Sequence, residues 1–185
     1  MDDKKYVNPL SFQNADLPLI CLVDDRRGFF GWGIKAHERG NYNHACVIHR
    51  PGFVATQGFD NFKEVPIATY FTNSQFIKFW KIKDLTTAEK NQILQNINTR
   101  LKASATGWRK HFSYDWLGIF GQFFHLNFIQ NPWQVFCSEE VRIDYIQCVG
   151  RASKVFPKEP SPSDIDNIAN ANLEIMECVG YCWKD

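Results

Sequence analysis

Residues 17–23 (LPLICLV) form an apolar run closed at each end by an aspartate, Asp16 and Asp24. The run is far short of the roughly 18 residues that a membrane-spanning helix needs. Its length and its punctuation predict a buried strand, and so a chain built around a sheet. Partners for that strand follow. Residues 42–49 read as a second strand, Arg50-Pro51-Gly52 as a turn, and residues 53–58 as the returning arm of a hairpin. Residues 74–83 (SQFIKFWKIK) alternate apolar and polar with a period near two and predict another strand.

Helical signals are interleaved with these. Thr86 and Glu89 have the spacing of a capping box, and behind them Ile93, Leu94, Ile97 and Leu101 fall on one helical face, ending near Ser104. A loose helix weakened by three glycines is expected over 26–39, an apolar aromatic segment over 114–125, and helical spacing over 138–149 at Val141, Tyr145 and Cys148. A Pro-rich loop spans 151–163, a short helix opens at Ser163-Asp164-Ile165-Asp166, and residues 173–183 could close the sheet as a strand. With no internal repeat, low-complexity tract or linker, the expectation is one α+β domain over 1–185, of which 1–15 is an N-terminal extension.

Composition excludes several classes. Hydrophobic residues at 44% and charged residues at 22% rule out wholesale disorder. A net charge of +1 argues against a nucleic-acid partner. The polar N-terminus lacks the order of a secretory signal, so the expectation is a cytoplasmic protein without stable membrane insertion. The six cysteines include no CxxC pair. Cys178 and Cys182 are four apart without His or Cys neighbours, so a zinc site has weak support, and no cofactor or metal is expected. Most of these thiols read as small buried apolar groups.

One cysteine stands in a different setting. Cys137, in Phe136-Cys137-Ser138-Glu139-Glu140, sits where an extended approach meets a helix start. Free amides and the macrodipole there favour a thiolate and offer donors to an oxyanion. Glu139 and Glu140 suit that terminus and partly oppose the dipole's effect on the thiol. A thiol nucleophile also needs a base, and the histidines are His37, His44, His49, His111 and His125. His44 opens a strand, where a side chain can project from the sheet's end. His49 has the opposite parity, His125 suits a helix C-terminus, and His37 and His111 lie in polar surroundings.

In that order, Asn43-His44-Ala45, Tyr114-Asp115-Trp116 and Phe136-Cys137-Ser138-Glu139, followed by Ser161-Pro162-Ser163-Asp164-Ile165, the chain resembles the circularly permuted papain-like enzymes of the NlpC superfamily. The YiiX-like branch is the nearest likeness, with lecithin retinol acyltransferase a distant one, and the resemblance spans roughly residues 16–170. It implies a permuted papain-like, NlpC-type fold whose antiparallel sheet packs against the helix carrying the nucleophile. It implies Cys137 as nucleophile, His44 as general base, and Tyr114 as a site-lining residue that donates toward the oxyanion.

The family usually places a polar residue, often Glu, on the strand after the histidine strand. Here that strand offers only Thr56 and Gln57, which have opposite parity, so one alone can face His44. Gln57 is favoured, because its carbonyl can accept the imidazole N–H as an amide does in papain relatives; Thr56 is the alternative. The resemblance implies a cysteine hydrolase, amidase or peptidase in type, or an acyltransferase, acting on a small-molecule, peptide or lipid-like acyl substrate. A non-catalytic binding or structural module on the same fold is the competing expectation, supported by the missing carboxylate. Trp116, Phe120, Phe123, Phe124 and Trp133 could line an apolar groove, although aromatics at helical spacing usually belong to a core.

Overall fold

The computed structural model describes residues 5–24, 41–58, 61–70, 76–106 and 137–183. The segments expected at 26–39 and 114–125, together with Tyr114, His37, His111, His125 and the groove aromatics, lie outside them. Among the described residues, six strands form one antiparallel sheet: β1 (Leu19–Asp24), β2 (His44–Arg50), β3 (Phe53–Gln57), β4 (Phe62–Pro66), β5 (Phe76–Ile82) and β6 (Met176–Trp183). Their spatial order is β4-β3-β2-β1-β5-β6. The described helices are α1 (Thr87–Ala105), α2 (Cys137–Asp144), the single turn α3 (Gly150–Ser153) and α4 (Pro162–Ala171). The class is therefore α+β. No helix among the described residues is long and apolar enough to cross a membrane.

The apolar run of residues 17–23 is central. All six residues of β1 are buried, because the strand lies inside the sheet and both of its faces are covered. One face carries Ile20, Leu22, Ala45, Val47, Ala55 and Trp80, packed against Ile93 and Ile97 of α1, Val141 of α2 and Ile165 of α4. The other carries Cys21, Val23, Cys46, Ile48, Val54 and Phe79 with Ile67, Tyr70 and Phe12.

Local chemistry fixes the helix starts. The expected capping box is present: Thr86 accepts from the Glu89 amide, and Glu89 accepts from the Thr86 amide at 2.8 Å. A second box opens α4 two residues before the expected helix start. There Ser161 is the N-cap, Pro162 follows in the first turn, and Asp164 returns a carboxylate to the Ser161 amide at 2.9 Å. That helix is held to the sheet by a buried cluster. Asp166 receives Trp80 Nε1 at 2.8 Å and Lys78 Nζ at 2.7 Å, and Lys78 lies over the Trp80 ring.

Where the structure departs from periodicity, tertiary contacts explain it. The helical spacing over 138–149 is interrupted after Asp144 and gives way to a 3₁₀ turn at Ile146–Cys148. Tyr145 between them is fully buried, donates to Pro18 O at 2.8 Å and accepts from the Ile82 amide at 3.4 Å. Cys178 and Cys182, four apart in the sequence, are divided between the two faces. A register shift between Phe79 and Trp80 leaves an extra residue on β6, so Cys178 packs toward the helical face and Cys182 toward the other. They cannot share one ligand.

Gly180, beside that shift, has a φ of +152°, and the segment before the first strand uses it. Tyr181 N donates to Lys5 O, and Val7 N donates to Tyr181 O, each at 2.8 Å. A Cβ at Gly180 would stand 2.6 Å from Lys5 O and 2.7 Å from Val7 Cγ1. Gly180→Ala should therefore lower stability by about 1–3 kcal/mol and speed hydrogen exchange at the Val7 and Tyr181 amides. Unchanged exchange there would mean that the segment is not held by this contact.

Candidate active site

His44 is the first residue of β2, as its place in the sequence predicts, and it shares a face with Cys46 and Ile48. The pairing Val47↔Ala55, carried on by one residue, sets Cys46 opposite Thr56 and His44 diagonal to it. The contact follows: His44 Nε2 lies 2.8 Å from Thr56 Oγ1. Thr56, the alternative, therefore occupies the place at the ring for which Gln57 was favoured. Gln57 has the opposite parity and lies toward the helical face, where its amide donates to Gly58 O at 3.1 Å.

A residue that the sequence did not single out completes this corner. Tyr70 ends the 3₁₀ turn Ile67–Tyr70 behind β4. Its hydroxyl lies 3.1 Å from His44 Nε2 and donates to Thr56 Oγ1 at 3.2 Å. Its ring stacks on the imidazole with centroids 5.6 Å apart and planes 25° from parallel. Burial is the main cause that pushes its phenol well above the ordinary range. The Cys46 thiol adds to that, the Thr56 hydrogen bond opposes it, and Cys21 and Cys137 contribute further. The only sequence signal for Tyr70 is a buried-type aromatic after a proline, which is common in any core.

Cys137 is the first residue of α2 and is buried. The helix lies against β2 and β3, so Cys137 meets the sheet at the end where β2 starts and β3 finishes. A small cavity there is bounded by Cys137 and Glu140 of α2, by Thr56 and Gln57 of β3, and by Cys46. Thr56 thus belongs both to the cavity that Cys137 lines and to the hydrogen bonds around His44. Burial is the largest cause pushing up the thiols of Cys46, Cys148, Cys178 and Cys182.

The chain matches no family model, no curated protein and no solved structure.

The electrostatics beneath Cys137 are unusual for a first helical turn. Glu140 does not face solvent; it is buried with Asp144 one turn later, and both turn to Arg100 of α1. Arg100 Nη2 donates to Glu140 Oε2 at 2.6 Å, and its Nε stands 3.6 Å from Asp144 Oδ1. One guanidinium serves two carboxyls. Burial pushes Glu140 up to about 8 and Asp144 up to about 6, against the opposing pull of Arg100.

His49 is placed elsewhere. The ladder shifts register between Ile48 and Arg50. This bulge lets the consecutive residues His49 and Arg50 reach one carboxylate on the edge strand: Glu64 Oε2 lies 2.8 Å from His49 Nε2 and 2.7 Å from Arg50 Nε. His44 and His49 do not share a pocket. Among the described residues, no group of three or more His, Cys, Asp or Glu is placed to hold a metal ion.

Proposed function

We propose that the protein is a cysteine hydrolase of the permuted papain-like type, with Cys137 as nucleophile and His44 as general base. The observation that carries this reading is the hydroxyl pair on His44 Nε2 at the sheet end that Cys137 also lines. With Nε2 engaged, Nδ1 is the ring nitrogen that serves the thiol. It takes the proton of Cys137, and the sulfur attacks an ester, amide or thioester carbonyl. First-turn amides of α2 face the developing oxyanion. As the tetrahedral centre collapses, the imidazolium gives its proton to the leaving alcohol, amine or thiol, leaving a thioester on Cys137. Water, deprotonated by His44, then releases the acid and restores the thiol; an amine in place of water would make the same site an acyltransferase. The acceptor and acyl group belong to the small-molecule, peptide or lipid-like class.

Intact-mass measurement with p-nitrophenyl acetate tests the nucleophile. The wild-type chain should accumulate one acetyl adduct, and Cys137→Ala should keep its circular dichroism spectrum and gain none. An adduct that persists in the variant places the nucleophile elsewhere. The second reading, a binding module on the same fold, is favoured by the neutral hydroxyls at His44, since they stabilise an imidazolium less than a carboxylate would. It predicts no adduct on either chain.

A further inference from the structure

The three polar atoms around the imidazole edge make a closed triangle. His44 Nε2, Thr56 Oγ1 and Tyr70 Oη are separated by 2.8, 3.1 and 3.2 Å, each within hydrogen-bonding reach, with the oxygen–oxygen edge the longest. Thr56 and Tyr70 are both buried. Each hydroxyl carries one hydrogen and accepting lone pairs, whereas a bare ring nitrogen has one lone pair and no hydrogen.

Counting hydrogens separates the two neutral forms of the ring. If Nε2 is bare, its lone pair takes one hydroxyl hydrogen. The second hydroxyl hydrogen can then serve one further edge at most, so one edge of the triangle holds none. If Nε2 carries the proton, that N–H points at two oxygens at once and serves two edges. The Tyr70 hydroxyl serves the third by donating to Thr56, and the Thr56 hydrogen turns outward. Only this arrangement satisfies all three separations.

We infer that Tyr70 and Thr56 together fix His44 as the Nε2–H tautomer, and that Tyr70 is a positioning residue acting through the imidazole and not on substrate. The pair does with two neutral oxygens what a single carboxylate or amide carbonyl does when it orients a histidine. Nδ1 is thereby the bare nitrogen facing the reaction, and the stacked Tyr70 ring limits rotation of the imidazole. The same two oxygens still accept from Nε2–H when the ring becomes an imidazolium, so no heavy atom moves between resting and charged states. The use of Nδ1 as base rests on the hydrolase reading; the tautomer does not.

Nitrogen-15 correlation spectra of histidine-labelled protein test it directly, with the His44 signal identified by its loss in His44→Gln. At a pH of about 8.5, where an ordinary imidazole is neutral, the wild-type chain should show His44 protonated at Nε2. Tyr70→Phe and Thr56→Val should each move the signals toward a mixture of tautomers, and Thr56→Ser should restore the wild-type pattern. In parallel, Tyr70→Phe should slow iodoacetamide labelling of Cys137 about three- to ten-fold, the span that one hydrogen bond covers. A wild-type spectrum with the proton on Nδ1, or spectra indifferent to both hydroxyls, would overturn the inference. A hydroxyl-dependent Nε2–H on a chain whose Cys137 labels no faster than its other thiols would uphold it and overturn the hydrolase reading instead.

Discussion

His44→Ala should bring the alkylation rate of Cys137 down by about ten- to thirty-fold at pH 7. An unassisted thiol near pKa 8.5 is only a few per cent thiolate at that pH, whereas a neutral imidazole beside it takes the proton as the sulfur attacks. The remaining thiols provide the internal standard. Cys46, Cys148, Cys178 and Cys182 are all pushed up, chiefly by burial, and should label slowly in the wild type and the variant alike. Limited labelling with iodoacetamide, read peptide by peptide, yields all six rates in one experiment. The expected pattern is one fast site in the wild type and none in His44→Ala. A Cys137 that reacts at the wild-type rate without His44 would remove the base from the proposed mechanism.

The second large effect lies under the nucleophile's helix. Arg100→Met takes away the guanidinium that two buried carboxyls share and should cost about 3–5 kcal/mol at pH 8, the range for a broken buried pair. The sign of the pH dependence follows from the raised carboxyls. Glu140 in the folded chain titrates near 8 and Asp144 near 6, both above the ordinary carboxyl range that they regain on unfolding. Between about pH 4 and pH 8 the folded state therefore binds more protons than the unfolded one, and stability falls as pH rises through that window. The penalty is complete above the folded values and absent below the unfolded ones. Glu140→Gln keeps the shape, removes that titration, and should flatten the slope between pH 5 and pH 8 while raising stability at the alkaline end by about 1–3 kcal/mol. Urea unfolding at pH 5, 6.5 and 8 measures it. A Glu140→Gln curve parallel to the wild type at every pH would show that Glu140 is not the titrating group.

How far the sequence could be read depended on how local each signal was. The apolar run of β1, the alternation of β5 and the Thr86–Glu89 box are each complete within a few residues, and each matches the structure. Strand β4 carries no such signal. In Phe62-Lys63-Glu64-Val65-Pro66 only Phe62 is buried, because the strand lies at the sheet's edge and exists by pairing with β3. Tyr70, delivered by the turn behind that strand, was hidden with it.

The choice between Thr56 and Gln57 was equally out of reach, for a reason of register. A regular ladder from a two-residue Pro51-Gly52 turn would pair Cys46 with Gln57 and put the amide on the face of His44. The bulge at His49 slips the pairing by one residue and turns Thr56 there instead. No pattern of apolar residues announces that bulge. It is set by tertiary contacts, among them the shared carboxylate of Glu64, which lies beyond the hairpin itself.

One small contact reaches across the chain's whole history of synthesis. The backbone of Tyr42, two residues before His44, is gripped at both its N–H and its C=O by the hydroxyl of Ser163, at 3.3 and 3.2 Å, across a separation of 121 residues. On a ribosome, where chains emerge from the N-terminal end, the histidine strand would be exposed long before its clamp, and before the nucleophile. The histidine corner can therefore take its final form only after Ser163 has emerged. A nascent chain halted before α4 emerges would carry His44 and Cys137 without that clamp, so the site is completed only once α4 has been made.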